Sequence, residues 1–303
     1  MVNNMKNMIF WDDTKINSPI KNMAINKACV DMVKNDEYDL IARLYRHSKG
    51  VILGFAESIE DVNLEYCKKH GYEVTSRPSG GSAIIVDPAL NLSYSVFFKK
   101  KSFNVHEIYQ DLTIPLAKHL GDGFSVEGNY YLRYNIDGES IPIAGHAMKS
   151  YGGVTQFDGV VNLKRLCGEH IDDVLKTREL WRSGEDNYLK VEGRFFHMDG
   201  KEAMIDDADA TCLRREKDEL KKLVGLEDIN ISYEDFRLAF MQSLKDTFGD
   251  ISEMPLDIDV KVLEEYSAQS DETTKNARKY LGHCFVDMVE EENPITRYRG
   301  NDN

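Results

Sequence analysis

The sequence has few cysteines and no long apolar run, and each shortage argues against a class of protein. Its five cysteines are scattered and odd in number, which argues against a disulfide framework and is typical of a reducing compartment. CxxC, HExxH and other spaced His/Cys clusters are missing, so we expect no dedicated metal site. No apolar run approaches the roughly 18–20 residues that span a bilayer, and the N-terminus lacks the pattern of a secretory signal. We therefore expect a cytoplasmic protein with no membrane partner.

Basic residues are outnumbered by acidic ones. The chain of 303 residues has 38 Lys and Arg against 52 Asp and Glu, which gives a net charge of −14. Nonspecific binding to nucleic acid depends on clustered Lys and Arg that neutralise phosphates, so nucleic acid is not an expected partner. A hydrophobic content of 42% is ordinary for a globular protein with one large core.

Helical and strand-like patterns alternate irregularly along the chain. This irregular order favours an α+β fold, with a sheet flanked by helices, over a doubly wound parallel sheet. The pattern predicts helices over 20–34, 59–70, 105–120, 214–223, 233–248 and 273–291. It predicts strands over 51–55, 72–76, 83–86, 92–99, 130–135, 141–149 and 154–163.

The segment 74–88 is the most informative part of the chain. It places Arg77, a proline turn and a Ser-Gly-Gly-Ser run between two β-branched stretches. Glycines let a backbone approach a ligand closely, and successive N–H groups in such a loop form an anion site. The arginine adds a planar fork suited to carboxylate or phosphate. A structural hairpin with a glycine-rich turn is the alternative, because isolated glycine clusters are weak motifs.

This segment and several others, in the same order, resemble the lipoate–protein ligase and octanoyltransferase family. Arg-Pro-Ser-Gly-Gly at 77–81, followed by an apolar strand and Asn-Leu-Ser-Tyr-Ser at 91–95, resembles the family signature. Ile-Ala-Gly-His-Ala at 143–147 resembles its Lys-Ile-Ala-Gly-x-Ala strand, and Asp158-Gly159 stands at its His-Gly. Helical segments near 22–26 and 62–67 and a closing segment over 220–249 complete the match.

The resemblance covers about residues 20–250 and implies a fold. That fold is the mixed, largely antiparallel β-sheet flanked by helices of the biotin/lipoate protein ligase catalytic domain. The chain would then divide into a catalytic domain over 1–250, with an insertion around 164–210, and a C-terminal helical extension over 251–303.

The resemblance also implies an activity. A ligase of this family attaches a lipoyl or related acyl group to a lysine of a carrier protein through an acyl-adenylate. It would use ATP, with Mg²⁺ carried by the nucleotide, and lipoate or octanoate as substrate. The expected partner is a lipoyl carrier domain or a glycine-cleavage H-type protein. The related transferases instead move octanoate with a cysteine and a lysine, through a thioester.

The site residues follow from the same resemblance. Substrate contacts are expected from the loop residues Arg77, Ser79, Gly80, Gly81 and Ser82, and from Ala144, Gly145 and His146 on the opposite strand. Because strand faces alternate, His146 would point away from the side of Gly145 and could equally be a packed histidine. The nucleotide side is assigned to Asp87, Asn91 and Asp158, although Asn91 is also suited to capping a turn.

Three polar positions depart from the family pattern. Pro142 replaces the lysine that should precede the Ile-Ala-Gly strand, and Val86 and Asp158 replace two histidines. Proline offers neither charge nor an N–H, so adenylation should be weakened or lost. Two further possibilities stay open: a non-ligating relative that binds an acyl chain or partner protein, and an enzyme for another acid, such as biotin or a fatty acid.

Two residues are candidates to supply the missing chemistry. Lys149 lies seven residues from Pro142, which would place it on the opposite face of a regular strand, although a bulge at Gly145 would return it to the ligand side. Cys167, with His170 close behind it, is the candidate nucleophile of a transferase, because an imidazole can lower a thiol pKa.

Overall fold

The computed structural model describes most of the chain between residues 6 and 275. Outside the description lie residues 1–5, 56, 58, 101–103, 128–130, 166–170, 172, 176–177, 184–185, 192–193, 198–201, 205–210, 216–223 and 276–303. Among the described helices, none has both the length and the apolar character needed to cross a membrane.

Strands outnumber helices in the described residues. In chain order, the strands are β1 (Met8–Asn17), β2 (Leu40–His47), β3 (Gly50–Leu53), β4 (Glu73–Ser76), β5 (Ile84–Val86), β6 (Asn91–Lys99), β7 (Phe124–Glu127), β8 (Tyr131–Ile136), β9 (Glu139–Ser150), β10 (Val154–Asn162), β11 (Arg178–Ser183), β12 (Asp186–Val191), β13 (Arg194–His197), β14 (Glu202–Ala203), β15 (Thr211–Arg215) and β16 (Ser252–Glu253). The principal helices are α1 (Pro19–Lys34), α2 (Leu64–His70), α3 (Val105–Leu120), α4 (Tyr233–Phe248) and α5 (Val260–Lys275).

Three sheets organise these strands. The largest has eight strands in the order β16-β1-β2-β6-β10-β9-β8-β7, with β1 parallel to both of its neighbours and every other pair antiparallel. A three-stranded sheet has the order β4-β3-β5, and a five-stranded antiparallel sheet, within residues 178–215, has the order β14-β13-β12-β11-β15. The predicted mixed, largely antiparallel sheet with flanking helices is therefore confirmed.

Three helix predictions need correction. The helix predicted over 59–70 is divided into a 3-10 turn and α2, because the Asn63 side chain accepts a hydrogen bond from the backbone N–H of Tyr66 and caps a new helix. Residues 214–215 belong to β15, and the rest of the helix predicted over 214–223 lies outside the described residues. Of the helix predicted over 273–291, residues 273–275 end a helix that begins at Val260, and the rest lies outside the described residues.

The eight-stranded sheet separates two cores. Alternate residues of β6 point to opposite faces, as the pleat requires. Leu92, Tyr94, Val96 and Phe98 pack with α3 and α4, while Phe97 packs with α1 residues such as Ile25. We call these two sides the α3/α4 face and the α1 face. The candidate site described below lies on the α1 face.

His47, at the end of β2, is buried in its neutral form. Its side chain is 2% exposed, and its Nδ1 lies 3.0 Å from the donating Nδ2 of Asn22. Burial, followed by the nearby charge of Arg43, lowers the pKa of His47 to about 3. The stability contributed by the neutral ring is therefore complete above the unfolded pKa of 6.5 and is lost as pH falls toward 3.

This burial predicts acid sensitivity. We expect the free energy of unfolding to fall by about 2 kcal/mol from His47 alone between pH 7 and pH 5, because only the unfolded chain gains the proton. Urea unfolding at the two pH values measures the loss, and the His47→Gln variant should show a loss smaller by that amount. Equal losses in both proteins would contradict the assignment.

Candidate functional site

The candidate site lies where β9 and β10 are partly uncovered on the α1 face. Cα partners across these strands pair Asp158 with Ala147 and Gln156 with Lys149. On the other side of β10, Asp158 pairs with Ser95 of β6. Paired residues of an antiparallel sheet share a face, so these side chains converge on one surface. Ala147, Lys149 and Asp158 are half-buried, and Ser95 and Gln156 lie beneath them.

A bulge in β9 decides which side chains reach this surface. Arg133 of β8 pairs with Pro142, whereas the preceding residue Leu132 pairs with Ala144, so Ile143 is the extra residue. Ile143 and Ala144 are both buried in the core of the α3/α4 face. The strand therefore changes face at Ile143, and Pro142 and Lys149 both lie on the α1 face. The prediction placed the bulge at Gly145, two residues too late.

The Arg77 loop, residues 77–82, lies over this surface and is held by its own arginine. The guanidinium of Arg77 donates to the backbone carbonyls of Ile52 at 3.1 Å, Gly80 at 2.7 Å and Ser82 at 2.8 Å. Arg77 is 8% exposed, whereas Gly80 and Gly81 are exposed. Through these contacts the guanidinium orders the loop, and its predicted contact with substrate stays a prediction.

Two glycines bring the Arg77 loop against the end of β3. A Cβ on Gly54 would lie 1.8 Å from the carbonyl oxygen of Gly81, so only glycine fits there. Gly81 itself has a φ of +87°, a conformation that side chains disfavour. The next residue, Phe55, donates its backbone N–H to the carbonyl of Ser79 at 3.0 Å. The loop is thus held by the hydrogen bonds of Arg77 and by its close contact with the end of β3.

Asp158 is the centre of the site. Ser95 Oγ donates to its Oδ1 at 2.7 Å, Ser79 Oγ donates to its Oδ2 at 3.2 Å, and Gln156 Nε2 lies 2.9 Å from both oxygens. Burial raises the pKa of this carboxyl, while Gln156, Ser95, Arg77 and Ser79 oppose the rise. The carboxyl is thus surrounded by donors from two strands, β6 and β10, and from the loop.

Besides Arg77, the basic residues Lys149 and Arg133 lie on the α1 face. The Nζ of Lys149 is 4.9 Å from the centroid of the Phe55 ring, which places the amine beside the Arg77 loop. Arg133, next to Pro142, donates to the Oγ and the carbonyl of Ser140 at 3.1 and 3.2 Å, toward the β8–β9 turn and away from Asp158. Sequence reasoning missed Arg133, since its place beside Pro142 depends on the strand pairing.

Several predicted residues are not brought to this surface. The ring of His146 lies on the α3/α4 face, where its Nε2 is 2.5 Å from Tyr94 Oη and the ring stacks on Phe157. Ala144 is buried in the core of that face. By contrast, Gly145 does lie on the α1 face, where a Cβ would approach the ring of Tyr131 at 3.4 Å.

Asp87 and Asn91 form the turn between β5 and β6. Asn91 Oδ1 accepts from the backbone N–H of Asp87 at 3.2 Å, and its Nδ2 donates to the carbonyl of Ile85 at 2.7 Å. Asp87 Oδ1 accepts from the backbone N–H of Ala89 at 2.9 Å. These contacts cap the turn, which is the alternative considered for Asn91, and the nucleotide role of the two residues stays a prediction. Cys167 and His170 lie outside the described residues.

The fold is that of known lipoate ligases. The structure of a bipartite archaeal lipoate protein ligase from Thermoplasma acidophilum, analysed with its E2 lipoyl domain, superposes with a TM-score of 0.62 at 16% identity, covering 88% of this chain and 92% of that chain. A lipoate-protein ligase A bound with ATP superposes with a TM-score of 0.60 at 15% identity, covering 91% and 98%. These matches define the class of fold.

Sequence comparison gives the family. The lipoyl protein ligase A/B catalytic domain matches residues 18–185, more than half of the chain. The chain belongs to this family. The lipoate-protein ligase LplJ of Bacillus subtilis is 27% identical over 173 residues, covering 57% of this chain and 50% of the relative. This chain therefore spans about half the length of that relative.

Proposed function

We propose that this protein is a lipoate–protein ligase-like enzyme that joins a lipoyl or related short acyl group to a lysine of a carrier protein. Membership of the family supports the reaction class. The observation that carries the proposal for this chain is the surface that places Lys149, Asp158 and the Arg77 loop together, despite the proline at position 142.

The proposed chemistry begins with an acid and ATP, supplied with Mg²⁺. The carboxylate of the acid attacks the α-phosphate, the bond to pyrophosphate breaks, and an acyl-adenylate forms. Lys149 would stabilise negative charge on the acyl-phosphate oxygens, because a cation beside a developing charge lowers the barrier. The exposed Gly80 and Gly81 would allow the acid to approach the backbone of the Arg77 loop closely. The acceptor lysine then attacks the acyl carbon, and AMP leaves.

A lipoyl carrier domain is the proposed partner, with a glycine-cleavage H-type protein as a further acceptor. The archaeal ligase of similar fold was analysed with its E2 lipoyl domain, which supports a partner of this type. A cytoplasmic location is proposed from the scattered cysteines alone.

ATP–pyrophosphate exchange tests the activity directly. The purified protein is assayed with lipoate, octanoate or biotin in the presence of ATP and Mg²⁺, with a reaction lacking acid as the control. We expect exchange that depends on one of these acids, which would identify the substrate. Absence of exchange with every acid would overturn the ligase proposal. If an acid alone then raised the melting temperature, the alternative would be favoured, namely a relative that binds an acyl group without ligating it, as the loss of the lysine at position 142 suggests.

A further inference from the structure

A buried chain of polar groups connects the core below α1 with Asp158. Arg43 of β2 is 0% exposed, and its Nε and Nη2 donate to Asp13 Oδ2 at 3.2 and 2.6 Å. Its Nη1 donates to Asn26 Oδ1 of α1 at 2.9 Å. The Nδ2 of Asn26 lies 3.3 Å from Ser95 Oγ, and Ser95 Oγ lies 2.7 Å from Asp158 Oδ1. A buried cation is thus linked to the candidate site through two neutral side chains.

The directions of the hydrogen bonds from Arg43 to Asn26 and from Asn26 to Ser95 are fixed. A guanidinium can only donate, so Asn26 must turn its carbonyl oxygen toward Arg43. Its NH₂ group then donates to Ser95 Oγ, and also to Tyr45 Oη at 2.9 Å. Ser95 Oγ lies 3.1 Å from Tyr45 Oη as well as 2.7 Å from Asp158 Oδ1, and when Tyr45 donates in the first contact the Ser95 proton is available for Asp158. Arg43 therefore orients Asn26, Asn26 orients the Ser95 hydroxyl, and this hydroxyl donates to the Asp158 carboxyl. Such a donor favours the ionised form of Asp158.

Asp158 in turn holds the Arg77 loop through a hydrogen bond. Its Oδ2 accepts from Ser79 Oγ, and Ser79 is fully buried. A carboxylate accepts such a bond more strongly than a neutral carboxyl does. Among the described residues, the charged and titratable groups that face Asp158 are Arg77 on the loop, Arg43 and Tyr45 on β2, Lys149 on β9, and Tyr151 just after β9.

We infer that Arg43 is a positioning residue, which acts through Asn26 and Ser95 to keep Asp158 ionised and so holds the Arg77 loop over the acid-binding surface. The inference rests on the proposed function for its consequence in catalysis. Its structural part, the coupling of Arg43 to the loop, is independent of which acid is bound. The sequence analysis gave none of these three residues a role in the site, although Asn26 and Ser95 lie in segments that carry the family resemblance.

The isosteric variant Asn26→Asp should reverse the direction of the hydrogen bond between residue 26 and Ser95. Aspartate can only accept, so it would take the proton of Ser95 and remove the donor from Asp158. We expect the proton affinity of Asp158 to rise about tenfold, which carbon NMR of the carboxyl groups measures. Hydrogen exchange of residues 77–82 should become faster at the pH where Asp158 is newly protonated. In the exchange assay KM for the acid should rise more than kcat falls.

The matched control is Asn22→Asp. Asn22 Oδ1 also accepts from Arg43 Nη2, at 2.6 Å, so this variant adds the same charge beside the same guanidinium without a contact to Ser95. We expect Asp158 and the loop to keep their wild-type behaviour. Ser95→Ala should raise the proton affinity of Asp158 as Asn26→Asp does. The double variant Asn26→Asp with Ser95→Ala should show the same proton affinity of Asp158 as Ser95→Ala alone.

The inference would be overturned if Asn26→Asp and Asn22→Asp changed the proton affinity of Asp158 and the hydrogen exchange of residues 77–82 equally. Additive changes of that proton affinity in the double variant would overturn it as well. The NMR and hydrogen-exchange measurements need no substrate. A wild-type protein that fails to catalyse exchange with any acid would therefore defeat the proposed function, while the same variants still decide the inference. Should Asn26→Asp fail to fold, Ser95→Ala alone provides the comparison with Asn22→Asp.

Discussion

Replacing Lys149 by alanine should lower the rate of acid-dependent ATP–pyrophosphate exchange by at least about a hundredfold, which is the usual effect of removing one group that stabilises a developing charge. Lys149 lies beside the Arg77 loop, and its pairing with Gln156 puts it on the face of Asp158. The bulge at Ile143 puts Pro142 on that face as well. Lys149→Arg should retain part of the activity, because the charge stays although the position of the donors changes.

Arg133 provides the comparison that makes this prediction specific. It lies next to Pro142, where the resemblance places the missing lysine, but its guanidinium is bonded to Ser140 at the strand turn. Arg133→Ala should therefore cost much less exchange activity than Lys149→Ala. The reverse order would transfer the role to Arg133 and would contradict the assignment of Lys149. Lys164→Ala, which removes an exposed lysine paired with Glu227, should leave exchange unchanged.

The Gly54→Ala variant should displace the Arg77 loop. Its added methyl group would lie 1.8 Å from the backbone oxygen of Gly81, and a backbone cannot yield as the end of a flexible side chain can. We expect a loss of about 1–3 kcal/mol in the free energy of unfolding. Exchange activity should fall about a hundredfold, because a displacement of about 1 Å at a catalytic surface has that effect.

Gly80→Ala is the matched control within the same loop. A Cβ at Gly80 meets nothing within 4 Å, and its backbone does not adopt a positive φ. This variant should keep the wild-type midpoint of urea unfolding and retain the fold of the loop. A Gly54→Ala variant as stable as Gly80→Ala, and as active as the wild-type protein, would show that the loop is not held by its approach to β3.

Much of the fold was predictable from local patterns. The helices over 105–120 and 233–248 follow from apolar periodicity and from end signals such as Ser232, whose side chain accepts from the backbone of Asp235. The strands that carry the site were also predicted, because alternating or β-branched runs mark them. The predictions failed where a short cap decided the structure, as at Asn63, and where Arg214 and Arg215 joined a strand instead of a helix.

The sequence by itself determined the family and the elements that carry the site, because ordered motifs and hydrophobic periodicity are local properties of the chain. Only the tertiary structure decided which side chains meet. A one-residue bulge changes the face of the residues beyond it, so whether Lys149 shares a face with Pro142 was undecided until Ile143 was seen to be the extra residue. The partners of Asp158 come from β6, β10 and the Arg77 loop, and no spacing within one segment reveals such a contact.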